Sequence, residues 1–324
     1  MPSTERWWSG SIAILAAVCL PAAACAETAY VSDEMANVVH VIDAPHWNTP
    51  STIPVGRRPR GMVSSHDGKR LYVAVGNDDR IDVIDLATRK VVDHLPSGPD
   101  PERFAISPDG RWLYVANEDD NAVSFVDIAA KKIVHQVAVG AEPEGMAVSP
   151  DGRWVICTSE SASLVHFIDA ASAKLVDSLL VGTRPRDARF NADGSQLWVS
   201  SETRASVTVF AMPSRKVLHT IDFDADDRAP DTVQAVGIVL RPQRAFIALG
   251  RGNAVAEVDP ATFAIRRYFP VGDRNWGIGV SPDGKRLFAA NGLSGNVTVI
   301  DLVANKPVAT VSTAGKPWGV VVTP

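Results

Sequence analysis

Ser107-Pro108-Asp109-Gly110-Arg111-Trp112-Leu113-Tyr114-Val115-Ala116-Asn117-Glu118-Asp119-Asp120-Asn121-Ala122-Val123-Ser124-Phe125-Val126-Asp127 opens a unit that starts again at Ser149-Pro150-Asp151-Gly152. Proline presets φ at the first corner of the turn, Asp bonds locally, and Gly takes the positive-φ position that closes a hairpin. The same anchor stands at Ser65-His66-Asp67-Gly68, Asn191-Ala192-Asp193-Gly194 and Ser281-Pro282-Asp283-Gly284, with a worn copy at Arg241-Pro242-Gln243-Arg244. Gly68, Gly110, Gly152 and Gly194 fall at intervals of 42 residues. A period of this length, filled with short alternating strands, means a β-propeller.

Between anchors the chain reads as four short strands. Leu113 to Ala116 and Val123 to Asp127 alternate around a polar loop, Lys132 to Val137 follows after a turn, and Val139-Gly140 leads through Pro143 into Gly145-Met146-Ala147-Val148. Period-two alternation over such lengths makes one antiparallel blade. The pattern begins in mid-blade at Ala29-Tyr30-Val31-Ser32, and the chain stops at Gly319-Val320-Val321-Val322-Thr323-Pro324, which matches only an innermost strand. The C-terminal strand is therefore expected to join the N-terminal blade and close the ring, removing exposed sheet edges. The expected fold is all-β: a seven-bladed β-propeller of four-stranded antiparallel blades, with residues 27–324 as its single domain.

Residues 1–26 read as a signal peptide. Arg6 precedes an apolar run from Ile12 to Leu20, and Ala24-Cys25-Ala26 offers small residues for cleavage before Glu27. A lipoprotein through Cys25 would need a better lipobox residue than Ala22, and the apolar run is short for an uncleaved anchor. The expected location is the periplasm. A net charge of -5 without a basic run argues against nucleic acid. Cys19 and Cys25 fall in the signal segment, leaving Cys157 in a strand position as a buried thiol.

The chain lacks Cys-x-x-Cys-His, His-Glu-x-x-His, a Walker loop and a Gly-x-Ser-x-Gly elbow. His40 and His166 share a repeat column in distant blades, and His135 and His219 share an outer, solvated one, so no histidine metal site is expected. Asp222, Asp224, Asp226, Asp227 and Asp231 crowd the insertion after the fifth blade, but without the ordered Gly and terminal Glu of a calcium loop; a solvated acidic loop is the expectation.

The loop before each innermost strand gives one inward position per blade. In ring order these are Trp318, Arg60, Glu102, Glu144, Arg186, Val236 and Trp276, all expected to crowd one mouth of the central channel. Trp276, Trp318 and Arg60 form an arc suited to a planar anion, stacked on indole and paired through guanidinium; the bland reading is an aromatic plug with rim salt bridges. Glu102 and Glu144 are neighbours able to serve as an acid and base, with Arg103 and Arg186 as the simpler neutralising partners. Glu34, Glu118, Glu160 and Glu202 lie farther out on the same face, as a surface for a protein partner.

Leu71-Tyr72-Val73-Ala74, Leu113-Tyr114-Val115-Ala116-Asn117 and Leu287-Phe288-Ala289-Ala290-Asn291, followed by Val-x-Val-Ile-Asp strands and Val-Gly-x-x-Pro-x-Gly loops, resemble the YVTN family of β-propeller repeat proteins. The exported single-domain layout resembles, more narrowly, the β-propeller proteins associated with pyrroloquinoline quinone (PQQ) dependent catabolism. That resemblance implies a monomeric, non-enzymatic accessory protein of periplasmic alcohol oxidation, with PQQ as a possible ligand and a quinoprotein dehydrogenase or cytochrome as partner. The alternative is a propeller hydrolase of lactonase type, with an acidic site of Glu102, Glu144 and Glu160 at the channel mouth.

Overall fold

The computed structural model describes residues 27–45, 47, 51–223 and 233–324. The signal segment lies outside the described residues, as do Asp224, Asp226, Asp227 and Asp231 of the acidic insertion; Asp222 is described and pairs with Arg204 at 3.5 Å. Seven four-stranded antiparallel sheets make up the fold. Blade 1 is closed by the two ends of the chain: Pro317–Thr323 pairs antiparallel with Thr28–Asp33, in the register Thr28↔Thr323 and Ala29↔Val322. The innermost strands of blades 2 to 7 are Pro59–Ser64, Pro101–Ile106, Pro143–Val148, Pro185–Phe190, Ile238–Arg241 and Asn275–Val280. Each contacts the next, and the last meets Pro317–Thr323, so the ring is complete.

Apolar side chains from the strands fill the gaps between blades, so each core cluster belongs to two neighbours. Tyr114, Val123 and Phe125 of blade 3 meet Met146, Val155 and Cys157 of blade 4, and Trp198 of blade 5 packs against blade 6. Burial raises the Cys157 thiol far above its ordinary range and keeps it unreactive. Hydroxyls stitch the ring near the mouth: Ser32 Oγ accepts from Gly319 N at 2.9 Å and donates to Arg60 O at 2.7 Å across the seam of blades 1 and 2, and Ser200 Oγ accepts from Asp187 N and donates to Val236 O across that of blades 5 and 6.

The innermost strands lie so close that a side chain does not fit at some seams. A Cβ on Gly277 would stand 2.3 Å from Trp318 O. At the other end of the same strand, the Ser-Pro-Asp-Gly turn places Gly284 at φ +72°, with open space around it. There the glycine is required by backbone conformation, not by crowding.

Candidate functional site

Blade 6 starts its innermost strand with Ile238; the other six start at the mouth with Pro, or Asn275 in blade 7, and Pro suits the first position of a strand with a free inner edge. Immediately before it stand Arg58, Asp100, Glu142, Arg184 and Arg274, all with φ between 46° and 57°. Non-glycine residues seldom adopt this left-handed region, and here the turn carries a second ring of charged side chains to the mouth. Sequence reasoning missed that ring; its signal was a charged residue directly ahead of the Pro in five blades, Lys316 included, and of Asn275 in a sixth.

The seven inward positions do converge, but the carboxylates lie behind the cations. Glu102 is fully buried, bonded to Arg58 at 2.5 Å and Arg60 at 2.9 Å; Arg58 also holds Asp100 and approaches Glu118 at 3.9 Å. Burial, then the charge of Glu144, pushes the Glu102 carboxyl well above its usual range against the pull of Arg60 and Arg58. Asp100, Glu102 and Glu118 are close enough to share an ion, but the Arg58 guanidinium already neutralises them.

A second cluster surrounds Arg186, which bonds Glu202 at 2.6 Å, holds Glu160, and lies 3.4 Å from Glu144. Arg184 closes it from outside, 2.5 Å from Glu160 and 3.4 Å from Glu202. Burial and Glu144 push Glu160 up to about 8, with Arg186 and Arg184 opposing. Two expectations are corrected here. Glu102 and Glu144 do not face the mouth as an acid and base pair, because arginines from neighbouring blades cover them. Glu160 and Glu202 are buried in the same network, so they present no docking surface; Glu34 and Glu118 remain partly open.

Trp276 and Trp318 stand in adjacent blades as expected, yet their rings are not free for stacking. Arg60 and Arg103 lie 5.3 and 4.5 Å from the Trp318 ring centre, and Arg186 and Arg274 lie 5.0 and 4.4 Å from that of Trp276. Cation–π contacts fix these guanidinia in place. Beside the indoles is a cavity of about 170 Å³, walled by Trp276, Trp318, Arg60, Arg186, Arg274, Lys316 and a single carboxylate, Glu34. Val236 is buried between blades and does not reach it. Four cations and one carboxylate thus line a small chamber at the mouth of the propeller.

Comparison with known proteins agrees with the propeller fold. Residues 23–133 match the model of the seven-bladed β-propeller lactonases, and residues 102–187 match that of the cytochrome D1 haem domain. No curated protein sequence matches the chain. Among solved structures, hydrazine synthase of Kuenenia stuttgartiensis superposes with a TM-score of 0.77 at 22% identity, over 86% of this chain and 93% of that one. A candidate 6-phosphogluconolactonase from Bacteroides uniformis gives 0.76 at 18% identity, over 92% and 99%. A dihydro-haem d1 dehydrogenase, NirN, in complex with DHE gives 0.68 at 17% identity, over 91% and 74%.

These structural likenesses show the seven-bladed fold. The expectation of a protein without catalysis is corrected by the family match: residues 23–133, which include Glu34, Arg60 and Glu102, fit the model of the seven-bladed lactonases. Neither match bears on the narrower PQQ-associated resemblance, which rests on the exported single-domain layout. A haem fits this mouth poorly. Haem iron takes His, Cys, Met or Tyr, and among the described residues lining cavity and channel only Met62 is of those types.

Proposed function

We propose that the protein hydrolyses a small cyclic ester carrying an anionic group, in the chamber between Trp276 and Trp318. The single observation that carries this reading is the composition of the chamber wall: Arg60, Arg186, Arg274 and Lys316 around Glu34. A cavity of about 150 Å³ holds one benzene ring, so 170 Å³ suits a single sugar-sized ring. Glu34 is the carboxylate placed to take a proton from water. The water oxygen then adds to the ester carbonyl carbon, and the guanidinia of Arg60 and Arg186 stabilise the oxyanion. Collapse breaks the ring C–O bond, the leaving alkoxide recovers the proton from Glu34, and the product is an open hydroxy acid. Arg60 Nε lies 3.2 Å from Glu34 and orients that carboxyl group. Arg274 and Lys316 would hold the substrate's own anionic group.

The test is lactone hydrolysis followed by pH-stat, with gluconolactone and its 6-phosphate as substrates and PQQ as a competing ligand. Acceleration that falls about 100-fold in Glu34→Gln supports the reading. A folded protein that accelerates neither lactone overturns it, and tight PQQ binding in that case would return attention to the quinoprotein association.

A further inference from the structure

Behind Trp318 lies a second chamber that the lactone reading does not use. The central channel holds a cavity of about 520 Å³ between the innermost strands, running from Trp318 and Arg103 toward Ser64, Phe190 and Val280. Those last residues end their strands next to the Ser-Pro-Asp-Gly turns, so this cavity belongs to the face opposite the mouth. Trp318 walls both chambers and separates them.

The channel's charge is unusual in kind. In the column where the other five blades carry glycine (Gly61, Gly145, Gly237, Gly277 and Gly319), blade 3 has Arg103 and blade 5 has Asp187. Asp187 is satisfied: its carboxylate accepts from Ala188 N and Ile238 N, each at 3.0 Å, and meets Arg189 at 3.3 Å. Arg103 is not. Its Nε and Nη2 have no hydrogen-bond partner, and its nearest carboxylates, Asp187 at 3.7 Å and Glu144 at 3.9 Å, are beyond hydrogen-bond reach. A buried guanidinium without hydrogen bonds marks a place where a partner belongs. Two more guanidinia line the same cavity: Arg189 donates to Met146 O, and Arg241 donates to Val280 O. Three cations thus face one carboxylate, while Phe190, Ile278, Val280 and Val320 supply an apolar wall.

We infer that this channel is a binding site for an organic carboxylate with an apolar body, its head at Arg103 beneath Trp318 and its body along the aliphatic wall. Arg189 is the second cation to the head, and the opening is on the turn face. The site is independent of the lactone chamber, because Trp318 stands between them.

Octanoate is the probe, titrated by calorimetry into the purified protein. One saturable site is expected, weakened at least tenfold in Arg103→Gln and about fivefold in Arg189→Gln, and unchanged in Trp276→Ala. If Arg103→Gln fails to fold, Arg189→Gln, at a half-open position, decides alone. Absence of saturable binding, equal binding in the arginine variants, or loss in Trp276→Ala would overturn the inference. So would acetate or inorganic phosphate binding as tightly as octanoate, since the apolar wall would then contribute nothing.

Discussion

The two faces of this ring are built from the same repeat and differ in how far their side chains vary from blade to blade. On the turn face, one small network recurs almost unchanged: Ser107 Oγ donates to Asp109 at 2.5 Å and accepts from Trp112 N at 2.9 Å, and Asp109 accepts from Arg111 N at 3.1 Å. Ser149 with Asp151, and Ser281 with Asp283, repeat it within 0.2 Å. On the mouth face no two consecutive blades carry the same inward side chain except Glu102 with Glu144 and Trp276 with Trp318. Turn geometry is a local requirement and tolerates little variation; a mouth side chain meets other blades and is free to differ. Function resides where the symmetry breaks.

The largest expected effect is on the mouth. Arg186→Ala leaves Glu144, Glu160 and Glu202 buried without their shared cation, and should cost about 3–5 kcal/mol in urea unfolding. A loss under about 1 kcal/mol would mean that these carboxyls are neutral and the network is not ionic.

Glycines sharpen the comparison next. Gly277→Ala forces a Cβ against Trp318 O and should destabilise by more than about 2 kcal/mol. Gly284→Ala meets open space and should cost only about 1–2 kcal/mol, the strain of the left-handed backbone. Equal losses would show that the seam relaxes.

The faces should also separate by pH. Against the push of burial, hydrogen bonds from Ser281 and Lys285 N bring Asp283 down to about 2. Its contribution is present above the unfolded value of about 3.9 and is lost as pH falls toward 2. Glu160 is raised to about 8, so the folded state holds more protons between about 4.3 and 8. Its contribution is complete below about 4.3 and lost as pH rises through 8. The melting temperature should therefore decline on both sides of mildly acidic pH, and Glu160→Gln should make only the alkaline limb shallower, leaving the share that the raised Glu102 contributes. A curve that keeps its alkaline slope in that variant would refute the assignment.

The smallest structural effect is expected of Trp276→Ala, at a half-buried position on the chamber wall. It should raise KM for the lactone about tenfold by releasing Arg186 and Arg274, with a fall in melting temperature of only a few degrees. A change in kcat alone would place Trp276 with the chemistry and not with binding.

Much of this was legible in the chain. Asp109-Gly110 and its copies announced hairpins because a turn is settled within four residues, and Gly319 to Thr323 announced closure because only an innermost strand was missing. The ring order of Trp318, Arg60, Glu102, Glu144, Arg186 and Trp276 followed from the same column. Which of them touch could not follow. Arg58 reaches Glu102 across a blade boundary, Arg184 seals a cluster made by two blades, and Arg103 Nε and Nη2 stand without hydrogen bonds below Trp318.

Sequence by itself determined the blade, the number of blades and the end at which their side chains differ, since each depends on contacts within one repeat or on counting repeats. Only the tertiary structure decided that cations line the chamber while carboxylates retreat behind them. That outcome depends on desolvation and charge shared among residues about 42 positions apart, and no local pattern records which of two opposite charges is left facing water.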